Sequence, residues 1–171
     1  MDMIFDFDFE TTEFSNDNYL MIGKVLTFAT RFEGECKALS ILLGIKQNFG
    51  TDNFDLDAFV QKLHDKRLFW HISHILKLPL RKLQQTRLLL EKARESRNFI
   101  AHELTLGFER IAETDEGRNI LQNEIREHVG IIAEAEKSIL LLSAILTHEE
   151  VPNANYLRNY QKNVIHWVME V

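Results

Sequence analysis

Apolar residues recur at steps of three and four along most of this 171-residue chain, which contains only two prolines. The clearest series is Val25, Phe28, Phe32, Cys36 and Leu39. An α-helix brings residues with this spacing to one face, because it completes a turn every 3.6 residues. The pattern therefore predicts long amphipathic helices that pack through their apolar faces.

Capping and breaking residues divide the chain into five predicted helices. Residues 15–18 read SNDN and are predicted to cap the first helix, Asp55 lies in the cap of the second, and the two prolines follow the second and the fourth. The predicted helices span residues 19–47, 56–78, 80–103, 114–148 and 155–170. The predicted fold class is all-α, an up-and-down bundle of four long helices plus a short C-terminal helix. We assign residues 18–171 to one domain, which is large enough for a hydrophobic core.

The first 17 residues form a separate acidic arm in this interpretation. Residues 1–18 contain six Asp and Glu and no Lys or Arg, so they account for the whole net charge of −6. Residues 4–10 alternate apolar and acidic side chains, a pattern typical of a β-strand. One strand is not stable alone. Three alternatives stay open: an arm docked on a partner subunit, an edge strand on the domain, and a flexible tail.

The sequence contains a single cysteine and no long apolar run, and both features indicate where the protein is located. Cys36 has no second cysteine with which to form a disulfide, and it lies in an apolar stripe, so we expect it to be buried. No run of 18 apolar residues occurs and the N-terminus is acidic, so we expect neither a transmembrane segment nor a signal peptide. The expected location is the cytoplasm.

The third predicted helix is basic. Between Leu80 and Arg97 there are six Lys and Arg and only two Glu, which gives this segment a local charge of +4. Its apolar stripe includes Leu90 and Ala93, and the next position in that stripe is Arg97. An arginine at this position is either buried, interfacial or part of a site. A local basic surface of this kind favours an anionic ligand whatever the net charge of the chain.

Residues 97–102 read RNFIAH and end this helix. Asn98 and His102 are four residues apart and share a helical face, so the Asn98 amide can bind the imidazole and select its tautomer. Arg97 can bind a phosphate through two parallel hydrogen bonds. Arg97 and His102 are about 140° apart in a regular helix. If the helix instead ends near Ala101, His102 turns inward.

An arginine, a polar residue, three further positions and a histidine resemble the signature motif of the HEPN superfamily of all-α domains. The match is Arg97, Asn98 and His102, and an earlier helix contributes a second, weaker pattern that includes Phe32 and Glu33. The resemblance covers roughly residues 19–145. Many members of this superfamily are endoribonucleases that need no metal, and others only bind.

The resemblance implies a homodimer in which two copies of the motif meet at one cleft. His102 is then the general base or acid that assists attack of the ribose 2′-hydroxyl on phosphorus, Arg97 stabilises the phosphate oxygens and Asn98 orients the pair. Glu33 is the candidate for an accompanying acidic residue. The products are a 2′,3′-cyclic phosphate and a 5′-hydroxyl, with no cofactor and no metal. Such proteins are often toxins or defence effectors paired with an antitoxin, for instance a nucleotidyltransferase-like protein.

A structural interpretation of the same residues stands beside the catalytic one. Arg97 can form a salt bridge with Glu33 or Glu103, and a histidine at a helix C-terminus is favoured by the helix dipole. The chain is then a helical bundle that binds a protein or nucleic-acid partner without catalysis. An enzyme needs Arg97 and His102 at a solvent-reachable, electropositive cleft, whereas a binding module can cover Arg97.

Three further histidines, His64, His71 and His74, share one face if the second predicted helix is continuous. A metal site, a solvated or partly packed face, and RNA contact with Phe69 or Trp70 stacking on a base stay open. The neighbouring Lys and Arg side chains disfavour a bound cation. The remaining histidines are interpreted as isolated structural or surface residues: His128, His148 and His166.

Overall fold

A computed structural model describes residues 13–51, 54–78, 83–104 and 114–170. These ranges contain helices and connecting turns and no strand, which confirms the all-α class. The helices are α1 (Glu13–Asn48), α2 (Leu56–His64), α3 (Leu68–Ile75), α4 (Leu83–His102), α5 (Asp115–Thr147) and α6 (Ala154–Met169). The predicted strand at residues 4–10 lies outside the described residues. Within them, no helix has the length and apolar character needed to cross a membrane.

The prediction of one long second helix is wrong. Residues 56–78 contain two short helices, α2 and α3, and the backbone of Arg67 between them is extended, with φ −72° and ψ 155°. Leu63 and Leu68 are both buried. These residues are five apart, so a continuous helix would separate their directions by about 140°. The break allows both side chains to reach the core.

The start of α1 also differs from the prediction. The helix begins at Glu13, so residues 15–18 lie inside it instead of capping it, and residues 13–17 belong to α1 and not to the arm. The predicted cap at Asp55 is confirmed, and two further helices are capped in the same way. The side chains of Asp55, Thr114 and Asn153 accept hydrogen bonds from backbone N–H groups in the first turns of α2, α5 and α6.

α1 is the central helix and contacts each of the five others. Its apolar stripe is buried as predicted, and Phe28, Phe32 and Cys36 are at most 1% exposed. Burial also raises the pKa of the Cys36 thiol, which keeps the thiol protonated. The amino group of Lys24 donates to the carbonyl of Trp167, and Arg31 donates to the hydroxyl of Tyr160, so α6 runs antiparallel to α1.

A charged network with a buried carboxylate lies where α1, α5 and α6 meet. The Arg31 guanidinium donates from Nε and Nη2 to the two carboxylate oxygens of Glu136, at 2.9 and 2.8 Å. Glu136 is 1% exposed, and the Tyr160 hydroxyl donates to it at 2.5 Å. The hydrogen bond with Glu136 raises the pKa of Arg31, and burial raises that of Tyr160. Both groups therefore keep their protons, and the network joins three helices through one carboxylate.

Candidate functional site

Arg97 occupies a core position of α4. Leu90, Ala93, Arg97, Ile100 and Leu104 follow one another at steps of three and four, and the four apolar members are at most 1% exposed. Arg97 lies among them with 23% of its side chain exposed. The stripe therefore directs the arginine towards α1, with its guanidinium at the edge of the core.

Glu33 of α1 receives this arginine. Nη2 of Arg97 forms an ion pair with Oε2 of Glu33, whose side chain is 31% exposed. Nη1 of Arg97 also donates to Oδ1 of Asn98 at 3.4 Å. The structure thus brings together three of the predicted site residues, at a position that solvent still reaches.

His102 is the last residue of α4 and is exposed. The helix does not end early: the N–H groups of Glu103 and Leu104 both donate to the carbonyl of Phe99, just past His102. The alternative in which His102 turns inward is therefore wrong. In this regular helix His102 shares a face with Asn98 and lies about 140° around the axis from Arg97.

His128 is an ionisable neighbour of the motif that the sequence interpretation missed. Its ring stacks on Phe99 at 4.1 Å between centroids, and its Nδ1 lies 3.1 Å from the hydroxyl of Ser96. Its Nε2 lies 3.5 Å from Glu124, one turn earlier in α5. Because the contacts with Phe99 and Ser96 join α5 to α4, the spacing of residues within one helix does not predict them.

The predicted common face of His64, His71 and His74 does not form, because the helix breaks between α2 and α3. His64 is exposed and lies 3.3 Å from Asp65, whereas His71 is 1% exposed. Nδ1 of His74 lies 3.0 Å from the hydroxyl of Ser40 in α1. Within the ranges described, no group of three or more His, Cys, Asp or Glu side chains is arranged to hold a metal ion.

His71 is expected to make folding stability depend on pH. Neither ring nitrogen forms a hydrogen bond of normal geometry among the described residues, and burial lowers the pKa from its ordinary value of 6.5, with the backbone of Lys66 opposing the shift. Below that value the unfolded chain binds more protons than the folded one. Stability should therefore fall as the pH drops from about 6.5 through the lowered folded-state pKa.

His71→Phe is expected to reduce this pH dependence and to raise stability at neutral pH by about 1 kcal/mol, because it removes an unsatisfied buried polar group. Urea unfolding of both proteins at pH 8, 6.5 and 5 measures the effect. At pH 8, His71 is neutral in both the folded and the unfolded chain. The stability of the wild type and of His71→Phe should therefore depend on pH with the same slope there. An unchanged slope between pH 6.5 and 5 would contradict the prediction.

The hollow between the C-terminal part of α5 and the start of α6 is separate from the motif. It has a volume of about 500 Å³, and its lining includes Glu35, Glu149, Glu150 and Tyr156. None of the predicted site residues lines it, and its three carboxylates suit no phosphate. The candidate site is therefore the surface around the end of α4.

Comparisons with family models, with curated proteins and with solved structures find no match to this chain.

Proposed function

We propose that this chain is a metal-independent endoribonuclease of the HEPN type, with Arg97, Asn98 and His102 as its catalytic residues. His102 acts as the general base or acid on the ribose 2′-hydroxyl, and Arg97 stabilises the phosphate oxygens. Asn98 orients both groups. The reaction leaves a 2′,3′-cyclic phosphate and a 5′-hydroxyl.

The observation that carries this proposal is the position of Asn98 between the other two groups. Its side chain accepts a hydrogen bond from Arg97, and it lies one turn before the exposed His102 on the same face. All three side chains reach solvent. A substrate can therefore meet a cation, an amide and an imidazole along one end of α4.

The geometry of one subunit favours a site shared by two. Arg97 and His102 point about 140° apart around α4, so one phosphate cannot easily contact both in a single copy. In a homodimer, Arg97 of one protomer can lie opposite His102 of its partner. We therefore propose a homodimer with a composite cleft, as the HEPN resemblance implies.

Glu33 is proposed to hold Arg97 until RNA arrives. Both side chains are partly exposed, so the ion pair gives little net stability and a phosphate can compete for the guanidinium. Glu33 thereby keeps the arginine extended towards the site, where a bidentate contact with phosphate needs a fixed orientation. This is a supporting role and not a chemical one.

In the cell we propose a cytoplasmic toxin or defence effector, restrained by an antitoxin such as a nucleotidyltransferase-like protein. The acidic segment 1–17 offers charge complementary to the basic α4 and is a candidate contact for the partner subunit or the antitoxin. Co-purification from the native host with the neighbouring gene products would identify such a partner.

The direct test is incubation of the wild-type protein with total RNA in EDTA. We expect cleavage that persists without divalent cations and leaves cyclic phosphate ends. The His102→Ala protein, purified in the same way, measures contaminating ribonuclease. Cleavage of equal extent by both proteins, or cleavage only when a divalent cation is added, would contradict the proposal.

The second candidate function is a non-catalytic helical bundle that binds a protein or nucleic acid. The observation that favours it is the ion pair of Arg97 with Glu33, which gives the arginine a structural role within one subunit. In that case RNA stays intact in the test above. The Glu33→Gln variant would then bind RNA no more tightly than the wild type.

A further inference from the structure

We propose that the surface formed by α3 and α4 binds single-stranded RNA, with a base stacked on Phe69 and a phosphate held by Arg94. This inference rests on the proposed function for its choice of RNA, and it extends the site away from the catalytic residues. Neither residue belongs to the motif. The contact between them is an arginine laid over an exposed aromatic ring.

Phe69 is an aromatic ring placed on the surface instead of in the core. It is 63% exposed, and its ring lies 5.6 Å from the guanidinium carbon of Arg94. The adjacent Trp70 is half-buried and packs against His71 and His74, so it belongs to the interior of the molecule. An exposed ring with one cationic neighbour is a stacking platform for a base.

The Arg94 guanidinium is incompletely paired among the described residues. Its Nε is buried and has no hydrogen-bond partner among the described residues, and its charge contact is with Glu95 at 3.8 Å. At that distance the pair is weak, particularly since the Glu95 side chain is 69% exposed. The Arg94 side chain is 30% exposed, so a phosphate oxygen can accept charge-assisted hydrogen bonds from the part of the guanidinium that solvent reaches.

The α3 side of this pair is basic. Between Lys66 and Leu78 the chain has three Lys and Arg and no Asp or Glu. Lys66 and Arg67 are exposed at the start of α3, next to Phe69. A polymer that repeats phosphates and aromatic bases uses both the charge and the ring, whereas an acidic polypeptide uses only the charge.

The pair is also well placed relative to the motif. Arg94 is one turn before Arg97 on α4, and Asn98 lies one turn after Arg94 on the same side. His102 is eight residues beyond Arg94, about 12 Å along the helix axis. One RNA strand can therefore contact Arg94 and Phe69 while a neighbouring phosphodiester lies at the catalytic residues.

The test measures binding without cleavage. All proteins carry His102→Ala, and the probes are a labelled single-stranded oligouridylate and an abasic strand of the same length. We expect Phe69→Ala and Phe69→Leu to weaken binding of the oligouridylate about fivefold or more, since stacking of one base contributes this much. Binding of the abasic strand should be unchanged. Arg94→Gln should weaken binding of both strands and lower the salt dependence by about one phosphate contact.

Two matched controls remove the same groups elsewhere. Lys92→Gln removes one charge from the opposite side of α4, and Phe49→Ala removes an exposed ring at the end of α1, where Phe49 is 81% exposed. Both should bind the oligouridylate like the parent protein. Melting curves of all variants confirm that they fold.

Three results would overturn the inference: no binding by the parent protein, equal binding by Phe69→Ala and its parent, and equal competition by polyglutamate. The outcome is separate from catalysis. If wild type cuts no RNA but binding depends on Phe69 and Arg94, the proposed activity is contradicted and the proposed RNA-binding surface is supported. If wild type cuts RNA and the Phe69 variants bind it normally, the proposed activity is supported and the proposed RNA-binding surface is contradicted.

Discussion

Arg97→Ala and His102→Ala are each expected to reduce RNA cleavage at least about 100-fold, while the melting temperature of the protein changes by only a few degrees. A positioned general acid or base contributes about 10²–10⁴ in rate, and loss of one donor to a charged transition state costs about 10²–10³. His102 is exposed, so its removal leaves no cavity. Arg97 is joined to a partly exposed carboxylate, and such pairs contribute about 1 kcal/mol or less.

Two further variants separate the roles of charge and geometry at this position. Arg97→Lys keeps the charge but loses the planar pair of donors, so we expect cleavage to remain well below that of the wild type. Glu33→Gln removes the charge partner and leaves Arg97 free to bind phosphate, so we expect RNA affinity to rise. Single-turnover cleavage and thermal melting of the four variants measure both effects. A large loss of stability in Arg97→Ala and His102→Ala, with no cleavage by wild type, would support the structural interpretation.

The all-α class and most helix ends could be predicted because both depend on local signals. The stripe of α1 and the cap at Asp55 are read from spacing and residue type. The place of Arg97 in the stripe of α4 also follows from spacing, and it predicts an arginine that faces another helix. Glu33 as its partner was one of two alternatives, because spacing within a helix does not determine which residue of the neighbouring helix lies opposite.

The features that could not be predicted depend on contacts between distant segments. The break between α2 and α3 contains no proline or glycine; it follows from the burial of both Leu63 and Leu68. The stacking of His128 on Phe99 joins α5 to α4. Both features depend on tertiary packing, which the spacing of residues within one helix does not predict.

The largest expected loss of stability comes from Arg31→Met. The substitution keeps an apolar chain near Phe28 but leaves the Glu136 carboxylate, which is 1% exposed, without its charge partner. Removal of one member of a buried ion pair typically costs about 3–5 kcal/mol. The side chain of Arg31 is itself 52% exposed, so we expect the lower end, about 3 kcal/mol. For a domain of this size that lowers the melting temperature by roughly 6–12 °C.

Controls for this prediction separate the buried charge from the loss of an arginine. Arg126→Met changes an exposed arginine of α5 whose hydrogen bonds within the described ranges are 3.4 Å contacts with Gln122 and Asn123, so its effect should stay within about 0.5 kcal/mol. The double variant Arg31→Met, Glu136→Leu should recover much of the stability, because it removes the unpaired carboxylate together with its partner. Urea unfolding at one protein concentration compares the four proteins. An equal loss in Arg31→Met and the double variant would contradict the prediction.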